Sequence, residues 1–284
     1  MSYSAATSPE ATAPRKRPIG VFDSGVGGLS VLNEIRRELP GENLIYYADS
    51  ANCPYGTKTP EKLRSLTSEI AHFLTAREAK LIVVACNTAS VAALAHLRAA
   101  FALPFVGVVP AVKPAAQATR ARRVAVLATP ATFQGALFED LVRDFAAEVQ
   151  IIRQVCPGLV ELVERGVTDG PEAQSLLGQY LAPGLAEAAD TVVLGCTHYP
   201  HLRPAIERIV GPDVQVIDSG AAVARQVRRV LERESLLAAG GGAGGAIYYT
   251  SGSDLLEFGR IVASLTGEEQ PDVRRASAED PMTV

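Results

Sequence analysis

Apolar and polar positions along this chain come in blocks, not in strict alternation. Short apolar runs of strand length stand at residues 19–22, 44–48, 81–85, 105–109, 122–128, 150–154, 191–194, 214–218 and 247–250. Runs such as 81–85 and 191–194, which lack a period of two, read as strands covered on both faces, the pattern of a buried parallel sheet. Between the runs lie longer segments that predict helices over 29–39, 61–78, 91–100, 111–119, 133–146, 158–165, 171–189, 221–233 and 254–265. Strand and helix in this order predict an α/β fold with mostly parallel sheets.

Two of the buried runs end alike. Residues 81–85 stop at Cys86-Asn87-Thr88, and residues 191–194 stop at Gly195-Cys196-Thr197-His198. Each thiol is thereby expected at the carboxyl end of a strand, where open α/β sheets bind their ligands. Free cysteine often only fills space in a core. That explains one such residue better than two in matched settings. Two thiols facing one small molecule from opposite sides suit the transfer of a proton across a carbon.

The first strand ends in Asp23-Ser24-Gly25-Val26-Gly27-Gly28 before a helix. Ser30 stands where a GxGxxG fingerprint needs its third glycine, so a dinucleotide site is weakly supported. Backbone N–H groups at such a helix start bind carboxylates as readily as phosphates. Asp23 is placed at the same sheet edge as Cys86, either as a helix cap or as a site group. The loop from Asp49 to Thr57 is rich in turn residues and predicts an ordered lip, with Tyr55 donating to a ligand or packing. Residues 122–130 mirror residues 17–24, so a second half restarts, with a boundary near residue 114. Residues 17–113 and 222–270 are assigned to the first domain and 114–221 to the second. Residues 1–16 read as a disordered tail, 238–246 as a glycine-rich linker and 271–284 as a frayed end.

Composition narrows the class further. A chain of 284 residues that is 48% hydrophobic can bury one large core or two medium ones. A net charge of -4 offers no broad basic face, which argues against nucleic acid as the main ligand. The apolar runs fall well short of the ~20 residues that span a bilayer, and the N-terminus shows no secretory pattern, so a soluble cytoplasmic protein with reduced thiols is expected. Cys53, Cys86, Cys156 and Cys196 have no paired close spacing, and His198 with His201 makes a poor metal site, so no metal is predicted. Lys16, Lys58, Lys62, Lys80 and Lys113 all lie outside the cysteine motifs, which disfavours a pyridoxal enzyme; Lys58, after Pro54-Tyr55-Gly56-Thr57, is the hardest to dismiss.

The motifs Phe22-Asp-Ser-Gly-Val-Gly-Gly-Leu-Ser30, Asp49-Ser50 with Pro54-Tyr-Gly56, Ala85-Cys-Asn-Thr88 and Gly195-Cys-Thr-His-Tyr-Pro200 together closely resemble the glutamate racemase family of the aspartate/glutamate racemase superfamily. The resemblance runs from about residue 18 to 267. It implies two similar three-layer domains related by pseudo-symmetry, with the active site between them. It also implies a cofactor-independent enzyme that makes D-glutamate for peptidoglycan. Carried over residue by residue, Cys86 and Cys196 are the two acid/bases, and Asp23 and His198 assist them. Asp23-Ser24, Tyr55-Gly56, Asn87-Thr88 and Thr197-His198 hold the substrate. Glu164 fits a further acidic site residue better than Glu161, while Cys53 is given no role. The resemblance further implies a cytoplasmic homodimer and, for some members, binding of DNA gyrase. The nearest alternative is a related racemase acting on aspartate or a hydantoin.

The chemistry stands without the name. Racemisation removes the α-hydrogen from one face and returns a proton to the other, and two thiols suffice when one is thiolate and the other thiol. An ordinary cysteine pKa near 8.5 makes both states accessible close to neutrality. A neighbouring carboxylate or imidazole tunes the thiols, and Ser24, Asn87, Thr88, Thr197 and nearby amides supply donors for the developing charge.

Overall fold

The computed structural model describes residues 14–134, 136–238 and 242–276. In chain order the elements are β1 (Ile19–Asp23), α1 (Leu29–Glu38), β2 (Leu44–Ala48), α2 (Pro60–Ala76), β3 (Leu81–Val84), α3 (Asn87–Ala100) and β4 (Phe105–Gly107). There follow α4 (Val112–Ala118), β5 (Arg123–Ala128), α5 (Pro130–Gln134), α6 (Ala136–Phe145), β6 (Gln150–Val155), α7 (Leu159–Glu164), α8 (Pro171–Ala186), β7 (Thr191–Leu194), α9 (Arg203–Val210) and β8 (Gln215–Ile217). Last come α10 (Gly220–Arg233), β9 (Ala246–Thr250), α11 (Leu255–Thr266) and β10 (Asp272–Arg275).

Among the described residues the strands form two sheets, ordered β10-β9-β2-β1-β3-β4 and β6-β5-β7-β8, and every recorded pairing is parallel. The order β2-β1-β3-β4 in one sheet and β6-β5-β7-β8 in the other is one topology used twice, which is the expected pseudo-symmetry. The central strands β1, β3 and β7 are buried along their whole length. Edge strand β6 has no fully buried residue. Position in the sheet therefore explains the unbroken apolar runs: a central parallel strand has no wet face on which to carry polar residues. Position 114, expected near a domain boundary, lies inside α4, which packs on α6 and β7.

The chain returns to the first sheet through β9, which pairs with β2 from Leu44↔Ala246 to Ala48↔Thr250. β10 then pairs with β9 and closes that edge, so residues 272–275 are not frayed as expected. Their sequence, Asp-Val-Arg-Arg, gives no apolar signal because backbone pairing at an exposed edge holds them. Residues 277–284 lie outside the described residues, as do residues 1–13 of the expected tail and 239–241 of the linker. Residues 14–16, also assigned to the tail, form a 3₁₀ turn that is tied down. Lys80 Nζ donates to the Arg15 carbonyl at 2.7 Å, to Glu42 Oε2 at 2.5 Å and to the Leu236 carbonyl at 2.9 Å. This buried ammonium is satisfied by three acceptors, as a buried charge must be. Among the described residues no helix is long and apolar enough to cross a membrane.

Candidate active site

Both sheets aim their strand ends into one cleft. Cys86 lies two residues beyond the end of β3, and Cys196 lies two residues beyond the end of β7, the third strand of each repeat. The paired thiols thus follow from the repeated topology. Helix α3 begins at Asn87, four residues earlier than predicted, because Cys86 serves as its N-cap and its Sγ accepts from Ala89 N–H at 3.5 Å. Burial pushes the Cys86 thiol well above its ordinary pKa and the nearby Asp23 adds to this, while the Ala89 amide pulls the other way. Cys86 is thereby held in its neutral form until a ligand changes its surroundings.

Cys196 has a different neighbour. Its Sγ lies 3.6 Å from Nδ1 of His198, whose Nε2 lies 2.6 Å from Glu164 Oε1. Burial opposes charge on His198, but hydrogen bonds to Cys196, Cys53 and Glu164 outweigh it and raise the imidazole pKa well above its usual range. Glu164 Oε1 also accepts from Val26 N–H at 2.7 Å. The carboxylate from α7 therefore orients an imidazole that addresses a thiol.

The glycine-rich loop serves this arrangement through its lack of side chains. A Cβ at Gly25 would lie 2.0 Å from Glu164 Oε1, and one at Gly27 would lie 2.4 Å from His198 Nδ1. The loop is a clearance for the Glu164–His198 pair. Ser30, which breaks the dinucleotide fingerprint, places its hydroxyl 2.8 Å from the Gly27 carbonyl and 2.9 Å from the Thr197 carbonyl, joining the two halves. His201 Nε2 lies 3.1 Å from the Gly27 carbonyl, and burial lowers its pKa to about 4, so it acts as a neutral donor.

Asp23 closes β1 and is wholly buried. Its Oδ2 accepts from Gly28 N–H at 2.6 Å and from Thr197 Oγ1 at 3.2 Å, so it caps the loop and also reaches across to the second half. Burial raises its pKa, with partial relief from His198. Among the described residues, the buried side-chain oxygens without a hydrogen-bond partner are Asp23 Oδ1 and Asn87 Oδ1. Leaving such an atom unpaired costs roughly 1–3 kcal/mol. Of the two, Asn87 lines the cavity between the halves, so its free oxygen marks a place prepared for a polar group of a ligand.

A cavity of about 130 Å³ lies between the halves, lined by Ser24, Tyr55, Gly56, Cys86, Asn87 and Thr88 on one side and by Thr129, Thr132, Val160, Glu161, Cys196, Thr197 and His198 on the other. It suits a small molecule and not a dinucleotide. The expected site residues all line it except Asp23 and Glu164, which stand behind the lining and act through Thr197 and His198. Glu161 reaches the cavity, whereas Glu164 reaches the imidazole. The Tyr55 hydroxyl donates to Asp49 Oδ2 at 2.6 Å, so it braces the lip, and Tyr55 and Gly56 both line the cavity. Lys58 does not line the cavity.

Two features escaped the sequence reading. Thr129 stands directly after β5, and its hydroxyl lies 3.0 Å from those of Thr88 and of Thr132, forming a hydroxyl chain across the cleft. The mirroring of 122–130 on 17–24 was the signal, since it puts Thr129 opposite the Asp23 loop. The second is Cys53, whose ligand atom lies with those of Glu164 and His198 inside a 4.8 Å cluster that could hold a metal ion.

Comparison with known proteins finds relatives and similar structures over most of the chain. A profile of the Asp/Glu/hydantoin racemases matches residues 19–227. A glutamate racemase from Roseiflexus sp. (strain RS-1) is 51% identical over 250 residues, covering 88% of this chain and 92% of that protein. The crystal structure of a glutamate racemase isoform from Bacillus anthracis matches with a TM-score of 0.82 at 34% identity, covering 93% of this chain and 98% of that one. The Escherichia coli glutamate racemase, solved in complex with L-glutamate and the activator UDP-MurNAc-ala, gives a TM-score of 0.80 at 35% identity over 91% of this chain and 97% of that one.

Proposed function

The chain belongs to the Asp/Glu/hydantoin racemase family, and from that premise we propose that it interconverts L- and D-glutamate by moving the α-proton between two thiols. The observation that carries the reading is the placement of Cys86 and Cys196 two residues past equivalent strands, both lining one cavity. One sulfur, as thiolate, takes the α-hydrogen as a proton and becomes a thiol. The electron pair left on the α-carbon is delocalised into the carboxylate. The other sulfur, as thiol, returns its own proton to the opposite face and becomes the thiolate. No net electron change occurs, and the two thiols exchange states with each turnover.

The two sides work differently in this reading. His198, kept cationic by its partners, stabilises negative charge on Cys196, and Glu164 holds the ring in place. Cys86 starts as a neutral thiol at a helix N-terminus, where the Ala89 amide favours the thiolate it becomes. Asp23 assists on that side. Asn87 Oδ1, an acceptor without a partner, takes a hydrogen bond from the substrate ammonium. Ser24, Thr88, Thr197 and the backbone at Tyr55-Gly56 hold the carboxylates, with Thr129 and Thr132 extending that polar wall. Identity near one half with glutamate racemases supports glutamate over aspartate or a hydantoin. The enzyme works as a cytoplasmic homodimer supplying D-glutamate for peptidoglycan.

The test is a racemisation assay on dialysed, chelator-treated protein over a panel including glutamate and aspartate. Glutamate is expected to racemise at least a hundredfold faster than aspartate. Faster turnover of aspartate, or of no amino acid, would overturn the assignment.

A further inference from the structure

Cys53, His198 and Glu164 come from three places far apart in the sequence and meet behind the wall of the cavity. Their ligand atoms, one thiol sulfur, one imidazole nitrogen and one carboxylate oxygen, all lie within 4.8 Å of one another. Zinc accepts this donor set, with bonds of roughly 2.3 Å to sulfur and 2.0–2.2 Å to nitrogen and oxygen. Those lengths place tetrahedral ligands roughly 3.3–3.8 Å apart. A spread of 4.8 Å closes to that by side-chain rotation on the order of an ångström. Val26 N–H and His198 both bond Glu164 Oε1, so the carboxylate is already oriented and offers its second oxygen. Cys53 is partly exposed, which gives an ion a route in.

We propose that these three residues form an inhibitory site for a thiophilic divalent cation, zinc above all, with water as the fourth ligand. Binding releases the Cys53 thiol proton and any proton His198 carries on the coordinating nitrogen, both to solvent. It fixes the imidazole to the metal and removes it from service to Cys196. Cys53 does not line the cavity and takes no direct part in proton transfer, so its removal costs turnover only through the one hydrogen bond it makes to His198, beside those from Cys196 and Glu164. The binding site rests on geometry alone, whereas inhibition rests on the racemase reading above.

The experiment uses reduced, chelator-treated full-length protein titrated with zinc chloride, beside Cys53→Ala treated identically. Wild type is expected to bind one zinc per chain, to lose racemase activity as it does so, and to regain it with chelator. Cys53→Ala is expected to keep most of its basal activity, and, read against its own metal-free rate, to show zinc affinity and inhibitory potency both weakened about a hundredfold or more. Cobalt chloride supplies a readout independent of activity, a thiolate-to-cobalt charge-transfer band present in wild type and lost in Cys53→Ala. Equal inhibition of both proteins would place the ion on Cys86 and Cys196 and overturn the proposal, as would failure of wild type to bind zinc or cobalt. A cobalt band that depends on Cys53 in a protein without racemase activity would uphold the site and count only against the functional reading.

Discussion

His198 Nε2 and Glu164 Oε1 lie 2.6 Å apart, and this bond decides which nitrogen faces the reaction: with Nε2 held by the carboxylate, Nδ1 addresses Cys196. The carboxylate also favours the charged imidazole, one of several partners that raise the His198 pKa against the opposing effect of burial. Glu164→Gln keeps the shape and removes the charge. It is expected to lower kcat about 10- to 100-fold, the range typical of partners that orient a functional imidazole, with little change in KM. Because His198 is charged below its folded pKa, lowering that pKa shifts the alkaline limb of the kcat profile to lower pH. The linked stability has the same sign: it is fully present below the unfolded histidine value and is lost as pH rises through the raised folded value. A pH–rate profile and thermal melts between pH 6 and 9 check both, and an unmoved limb would show that Glu164 only packs.

Gly27 separates clearance from flexibility. Its φ is not among the positive ones, so alanine is allowed by the backbone, yet its Cβ would lie 2.4 Å from His198 Nδ1. Gly27→Ala is expected to displace the ring and cost about 100-fold in kcat, since a misplacement of about 1 Å carries that penalty. Circular dichroism and steady-state kinetics on the purified variant decide it. Near-normal kcat would mean that the ring yields without loss.

Much of this was readable in the residues for definite reasons. The runs at β1, β3 and β7 announced buried parallel strands because central strands must be apolar on both faces. Cys86 and Cys196 were readable because a repeated topology repeats its strand ends. β10 was silent, since Asp272–Arg275 is held by pairing with β9 and not by hydrophobic burial. The start of α3 lies ahead of the apolar segment 91–100 because a first helical turn tolerates polar residues such as Asn87-Thr88 when a cap precedes it. Cys53 beside His198 could not be found from spacing, because only the meeting of the β2 loop with the second half creates that contact.

The three thiols that line the cavity are expected to divide sharply. Cys86→Ala and Cys196→Ala each remove a unique proton carrier and should lower racemisation by at least about 10³-fold, within the range assigned to general acid–base groups. Cys156 lines the cavity, but its Sγ is turned to the Gln154 carbonyl at 3.4 Å, so Cys156→Ala should keep activity within about tenfold. Equal losses at Cys86, Cys196 and Cys156, measured on proteins with matched melting curves, would point to packing as the role of all three.

Asp23 trades stability for function. Burial raises its pKa, so its contribution to stability is fully present below the unfolded carboxylate value and is lost as pH rises through the folded value. Ionising this buried side chain above its raised pKa is therefore a cost that asparagine avoids. Asp23→Asn is expected to raise Tm at pH 7 by a few degrees, on the order of 1 kcal/mol for a chain of this size, and to lower kcat. The gain should shrink as pH falls toward the carboxylate range. Melts at pH 5 and pH 8 test this, and a lower Tm at both would show that the bonds to Gly28 and Thr197 outweigh the buried charge.

The central claim is that two thiols, and not one, exchange protons with the α-carbon. The direct measurement is the early course of L-glutamate racemisation in deuterated water, with both enantiomers separated and weighed for α-deuterium before a tenth of the substrate has turned over. With two sulfurs, the proton taken by one is not the proton given by the other. D-glutamate should therefore carry a full solvent deuterium from the first turnovers, while recovered L-glutamate remains protiated. D-glutamate that retains the substrate's own α-hydrogen would mean that a single base serves both faces, and would contradict the account.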